Sequence, residues 1–370
     1  MQPFPLVVRA FTFIAVVVSV SVPVTLAQQA AGGQAQTSSA APAAPSPAEC
    51  RADCAIGKQL VVTLSGVNVT GVNVTTIGAW VVRDGRGRYA AISSDFRQLL
   101  IFDGRGRLLE SPRPKFGRIT NLFVDSTGAV RAYDQSSGSL LAFDADYKVT
   151  TKTELPHRPV LPLSGGRFLV AQQIETPALA GQPLHVMSND GRIVRSFGAD
   201  GSVFQSADTF KNSRAVCLNA DGTIWSIASG GRLLERWDAL TGRRLAQVTV
   251  KSTWFRESSR QAPPSQVANP IILTIWAEAD LIWILYRVPD PHWIPRPMPE
   301  QEFAATSETA DRLSDWVLEA VRSDTGSVVA MKSFDRSLLR RDGSFAIVSE
   351  TASANRAGGV ELWTPIVVRK

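Results

Sequence analysis

Few side chains in this sequence are placed to do covalent chemistry. Histidine occurs three times, as His157, His185 and His292. A metal centre built on imidazoles needs several of them converging on one point. Only His157 falls where such a point could form, so the three are read as unrelated and no metal site or cofactor is expected. No Gly-x-Ser-x-Gly elbow occurs. Aspartates crowd the turns, but none opens an Asp-x-Asp-x-Asp-Gly loop with a Glu at calcium-binding distance, and Asp144-Ala145-Asp146 reads as a short turn. The doubled Gly-Arg-Gly-Arg at 85–88 and 104–107 lacks the interleaved aromatics of a stacking platform, which argues for a solvated basic edge and against a nucleic-acid partner. Of the nine tryptophans, Trp225, Trp237, Trp276 and Trp283 sit in strand patterns and read as core.

The three cysteines divide by context. Cys50 and Cys54 are separated by Arg-Ala-Asp, and a local disulfide is the favoured reading, with two thiols or a crosslink to a partner as the alternatives. Cys217 lies in the apolar run Ala215-Val-Cys-Leu218 and reads as a buried core thiol.

The elements that would position any site begin after an export signal. Arg9, the apolar stretch Ala10–Val20, Pro23 and the small-residue exit Thr25-Leu26-Ala27 have the order of a secretory signal peptide over 1–27. The apolar core is about half the roughly 20 residues needed to span a bilayer, so cleavage is expected rather than anchoring. Residues 28–57 form a tether rich in Ala, Pro, Gln and Ser that ends in the Cys pair. The remainder, 58–370, reads as one domain without an integral membrane span. The net charge of +6 is small for a chain of this length and bears on solubility more than on a polyanionic partner.

Along that domain a phrase recurs: an apolar run, a turn on Asp or Gly, another apolar run, then an aromatic and Asp. It reads Leu122-Phe-Val-Asp-Ser-Thr-Gly-Ala-Val-Arg-Ala-Tyr-Asp134 with Leu140-Leu-Ala-Phe-Asp144, and returns as Leu218-Asn-Ala-Asp-Gly-Thr-Ile-Trp-Ser-Ile227 with Leu234-Glu-Arg-Trp-Asp238. Six such markers are counted, starting at Arg88, Ala129, Arg167, Thr223, Leu281 and Ser344. Nearly all follow a polar turn whose Asp-Gly or Gly-Gly would supply the positive φ of a two-residue hairpin. Units of this size cannot bury their apolar face alone and must lean on neighbours. The expected fold is all-β, a six-bladed β-propeller with four-stranded antiparallel blades. The last unit lacks a fourth strand, and Lys58-Gln-Leu-Val-Val-Thr-Leu64 is expected to close the ring in its place, pairing around Val360–Trp363.

Here the chain resembles the NHL-like and exported bacterial six-bladed propellers. Val124-Asp-Ser-Thr-Gly128 with Leu141-Ala-Phe-Asp144 matches their repeat, and Asp190-Gly-Arg-Ile-Val-Arg-Ser-Phe-Gly198 matches its closing segment. Ser136-Ser-Gly-Ser139 stands where that family usually has Asn and Arg, and the RNA binding of some animal members is not carried over. The Glu-Gly-Pro and Ser-Pro-Asp-Gly segments of the sugar-lactonase propellers are absent.

In a propeller the inter-unit and second-to-third-strand connections share one face, and here these are long: 174–183, 197–212, 252–269 and 288–314. Loops of this length are usually functional. Trp254, Phe255, Arg256, His292, Trp293 and Arg296 lie in them, and Trp and Arg are frequent at binding hot spots. The expectation is an exported, monomeric, non-enzymatic binding or scaffold propeller, periplasmic or extracellular, that engages an envelope protein, peptide or glycan through this face. The alternative is a metal-dependent hydrolase or lactonase with a diverged site at the channel mouth.

Overall fold

Several hairpins are built on the same turn. In a computed structural model of the chain, Asp84 accepts at Oδ1 from the backbone N–H of Arg86 and of Arg88, both within 2.9 Å, while Gly87 N–H closes onto the Asp84 carbonyl at 3.0 Å. Asp103, Asp125 and Asp144 repeat the pattern. The residue three places after the turn's first carries the positive φ: Gly87 at 80°, Gly106 at 81°, Gly128 at 81°, Gly222 at 81°, and in the Asp144 turn Tyr147 at 59°. These are longer turns with a left-handed closing residue, not the expected two-residue hairpins; in 84–87 and 103–106 the Gly of the Asp-Gly pair is not the left-handed one. The turn at Glu278–Leu281, which lacks Gly, is the short kind, with Ala279 at 53°.

The structure describes residues 54–65, 77–93, 96–109, 116–174, 176, 178–179, 181–198, 213–257, 270–289, 314–334, 338–342, 345–349 and 359–369. They form antiparallel sheets taken in chain order. After β1 (Cys54–Ser65) comes a sheet of three strands, β2 (Ile77–Arg83), β3 (Tyr89–Ser93) and β4 (Leu99–Phe102). A four-stranded sheet follows, β5 (Ile119–Val124), β6 (Val130–Asp134), β7 (Ser139–Phe143) and β8 (Val149–Glu154). The next is β9 (Leu161–Leu163), β10 (Arg167–Ala171), β11 (Leu184–Met187) and β12 (Ile193–Phe197). Then come β13 (Arg214–Leu218), β14 (Ile224–Ala228), β15 (Leu233–Asp238) and β16 (Arg243–Thr249), and β17 (Ile271–Glu278), β18 (Leu281–Pro289), β19 (Ser314–Arg322) and β20 (Val328–Phe334). The last sheet joins β21 (Leu338–Asp342), β22 (Phe345–Ser349) and β23 (Gly359–Arg369) to β1 in the order β1-β23-β22-β21.

The fold is an all-β propeller with five blades of four antiparallel strands. The expectation of six such blades is corrected at the first repeat. After the Asp103 turn the described residues make a single bridge, Phe102 to Leu108, and no fourth strand is found among them. The closing pairing is as the sequence suggests: Gln59 faces Thr364, Leu60 faces Trp363 and Leu64 faces Val360, with a bulge between Leu60 and Val62. The strand starts earlier than expected, so Cys54–Gly57 belongs to it.

Side chains of middle strands alternate between the two neighbouring sheets. From β3, Ala90 and Ile92 pack with Ile119 and Leu141 of the next sheet, while Tyr89 and Ala91 pack with Leu64 and Leu362 of the closing one. Both faces are buried, which is why these strands read as continuous apolar runs instead of alternating ones. The outermost strands β8 and β16 are mostly exposed and carry Thr, Lys, Arg and Glu, as edges that must not recruit another strand do. Neighbouring turns also touch: Gly85 N–H donates to the Gly128 carbonyl at 2.9 Å, and a Cβ on Gly128 would sit 2.6 Å from Gly85 Cα. Among the described residues no helix is long and apolar enough to cross a membrane.

Candidate functional site

Strands β2, β5, β9, β13 and β17 each stand at the end of their sheet, so one edge of each lacks a partner strand. Those edges line a common cavity of about 930 Å³, the channel of the propeller. Unpaired strand edges present N–H and C=O groups that seek partners. The charged side chains along this lining are Arg83, Asp84, Arg158 and Arg214.

Asp84 is committed to its own turn. Besides the two N–H groups, its Oδ2 accepts from Arg88 Nε and from the Tyr147 hydroxyl, each at 2.9 Å. Burial works against its charge, but the bonds from Arg88 and Tyr147 outweigh it and hold the carboxyl below its ordinary range. Burial, then the Asp84 charge, pushes the Tyr147 phenol up. Arg214 donates from Nη1 to Glu235 Oε2 at 2.8 Å, and Arg244 donates to the other oxygen at 2.8 Å, so a buried carboxylate is shared by two guanidinium groups. Arg214 Nε is buried without a hydrogen-bond partner, and so is Oδ1 of Asn121, which lines the channel at 2% exposure. Among the described residues Arg83 donates to the Gly87 carbonyl, at 3.4 Å, and lies over the Tyr89 ring. Arg158 is exposed. Positive charge therefore exceeds negative along the lining.

His157 and His185 are joined, contrary to the reading of unrelated histidines. Gln172 Nε2 lies 3.1 Å from His157 Nδ1, and the Gln172 carbonyl lies 3.0 Å from His185 Nε2. A carbonyl only accepts, so His185 carries its proton on Nε2 and its Nδ1 accepts from the Ser196 hydroxyl at 2.7 Å. Burial lowers the pKa of both imidazoles. No group of three or more His, Cys, Asp or Glu able to hold a metal occurs among the described residues.

The expected ligand-binding residues are only partly exposed. Phe255 is 2% exposed, against the expectation of a loop aromatic in water, and packs on Tyr286 with ring centroids 4.9 Å apart. Trp254 is half-buried beside both rings. Its indole N–H donates to Glu319 Oε1 at 2.8 Å. Arg256 is exposed. The physical reason is Glu319, only 1% exposed, which also accepts from Ser252 Oγ at 2.7 Å and from the Tyr286 hydroxyl at 2.8 Å. Burial, then the Glu319 charge, raises the Tyr286 phenol. The connection after β16 is thereby drawn down onto β18 and β19. His292, Trp293 and Arg296 lie outside the described residues, as does Cys50; Cys54 is in a disulfide and Cys217 is a buried thiol.

The sequence reading passed over Glu235, Glu319, Arg158 and Asn121. A signal was there for part of this set. His185, Glu235 and Glu319 each directly follow a leucine of zero exposure, Leu184, Leu234 and Leu318, in the third strand of successive sheets.

No family model matches the sequence, and no curated protein does. Solved structures resemble the fold. A member of the DUF4221 family from Bacteroides vulgatus superposes with a TM-score of 0.57 at 6% identity, over 85% of this chain and 99% of that one. A candidate exported protein from Bacteroides fragilis gives 0.54 at 11% identity, over 85% and 95%. Virginiamycin B lyase from Staphylococcus aureus gives 0.45 at 10% identity, over 84% and 99%.

Proposed function

We propose that the chain is an exported, NHL-like binding propeller, with β2–β4 counted as a sixth blade, whose channel receives a segment of an envelope peptide, protein or glycan. The observation that supports this is the cavity of about 930 Å³ walled by unpaired strand edges. Its size suits a ligand, since such sites run to roughly 300–1,000 Å³. Rows of free N–H and C=O groups suit an extended polar chain. Under this reading residues 1–27 are a cleaved signal and 28–53 a tether, with Cys50 as the disulfide partner of Cys54. Arg256, His292, Trp293 and Arg296 are outer contacts on the same face, while Trp254 and Phe255 serve to hold that face together.

The test is to screen the mature chain against a random hexapeptide library and a glycan array, then map hydrogen exchange with the best binder. Binding in the channel slows exchange of the edge amides in 121–124, 214–218 and 273–277. A binder that protects other segments only, or the absence of any binder from both collections, overturns the reading.

A further inference from the structure

Deepening that reading, and resting on it, we infer that the channel selects an acidic peptide segment, whose carboxylates meet Arg158 and Arg214. Charge along the lining is unbalanced for a structural reason. The one carboxylate there, Asp84, has its two oxygens filled by Arg86, Arg88 and Tyr147, so it neither accepts from a ligand nor offsets the arginines beyond its own turn. Glu235 is divided between buried Arg214 and exposed Arg244, so this one carboxylate faces two positive charges. Among the described residues Arg83 has no carboxylate partner and Arg158 makes no hydrogen bond or ion pair.

Placement adds a direction. Arg214 is the first residue of β13, and Arg158 lies just ahead of β9, so both stand where the chain enters the innermost strands, on the face of the long connections. Arg83 closes β2 at the opposite end, by the Asp84 turn. A cleft lined by one sign of charge, between walls of low dielectric, concentrates counter-charged solute. Among the described residues Asn121 Oδ1 and Arg214 Nε are buried polar atoms with no hydrogen-bond partner. Such atoms cost free energy unless a ligand or water satisfies them. A buried acceptor and a buried donor on two of the open-edged strands match a peptide backbone, which offers both, and the guanidinium groups match its carboxylates.

The probes are fluorescein-labelled hexaglutamate and hexaserine peptides, with hexagalacturonate as an unlabelled competitor, titrated by anisotropy against the full mature chain at 50 and 300 mM salt. Hexaglutamate is expected to bind, to weaken at high salt, and to protect the edge amides of 121–124 and 214–218 from exchange. Arg158→Gln, an exposed change that leaves the fold intact, is expected to weaken it about five- to tenfold. Arg105→Gln, at an outer turn, has no effect. Hexaserine binding as tightly in the channel overturns the acidic preference while leaving the channel reading standing. Hexagalacturonate that displaces labelled hexaglutamate more effectively than unlabelled hexaglutamate does overturns the peptide class. Equal loss in Arg105→Gln, or no binding of any probe, overturns the inference, and the library screen then decides the channel reading by itself.

Discussion

Closing the ring with β1 makes one exposed strand answer for the whole fold, and two leucines on that strand give the cleanest measure of it. Leu64 has zero exposure and packs with Val81, Tyr89 and Leu362, across the seam between the first and last sheets. Leu60, four residues earlier on the same strand, is 48% exposed. Truncating a fully buried leucine removes its transfer free energy and leaves a cavity, at about 2–5 kcal/mol. The same change at an exposed position falls within about 0.5 kcal/mol. Urea unfolding followed by tryptophan fluorescence is therefore expected to show Leu64→Ala well below wild type and Leu60→Ala close to it. Removing the strand is far more severe. Ile56, Val62 and Leu64 are its buried aliphatic side chains, and at about 1.5–3 kcal/mol each they contribute about 4.5–9 kcal/mol. That equals the whole stability of many domains, about 5–15 kcal/mol. Deleting 28–48 is expected to leave the melting temperature unchanged, and extending the deletion through Ser65 to abolish cooperative unfolding. Equal midpoints for the two leucine variants, or a folded chain without β1, would refute closure as the source of cooperativity.

Tyr286→Phe removes one of the three donors to buried Glu319 and is expected to cost about 1.5–3 kcal/mol, the range for a bond to a charged group, read from the same urea curves. Asp84 has a lowered pKa in the fold, so its contribution is complete above the unfolded value of about 3.9 and is lost as pH falls through the folded one. The melting-temperature gap between wild type and Asp84→Asn should thus be widest near neutrality and narrow below about pH 4; a gap independent of pH would show that the charge is irrelevant. Intact mass after alkylation without reductant is expected to show no label on Cys50 or Cys54, and none on Cys217 until the protein is unfolded.

The architecture was legible because a repeat states its period several times over. Turn residues, apolar runs and the homeless strand at Lys58–Leu64 all pointed to one answer, and the β1–β23 pairing agrees with it. Finer geometry was not legible. Asp-Gly signals a turn, yet whether Gly85 or Gly87 takes the positive φ depends on how the aspartate side chain caps the backbone, which the dipeptide does not encode. The three-stranded form of the first sheet among the described residues was hidden by a clear Asp103-Gly104 turn, which promises a strand after it. Phe255 was misjudged because its burial is made by a residue 64 positions away in sequence, Glu319, through Trp254 and Ser252. Composition cannot show contacts that exist only once the ring has closed.

The run of buried polar groups on third strands bears on how such a chain avoids confusing its own parts. Strands grown from one repeat have similar apolar faces, and any of them could pair with the wrong neighbour during folding. Among the described residues His185 bonds to Ser196 and Gln172, Glu235 to Arg214 and Arg244, and Glu319 to Ser252, Trp254 and Tyr286, partners drawn from the same sheet and the connections around it. Paired with a strand of another sheet, Glu319 would lose Tyr286 of β18 and remain a buried charge short of a donor, which is unfavourable. Each of these three sheets thus bears its own identity mark on its third strand, and strand pairing is enforced by the penalty for mismatch as much as by the reward for the correct contact.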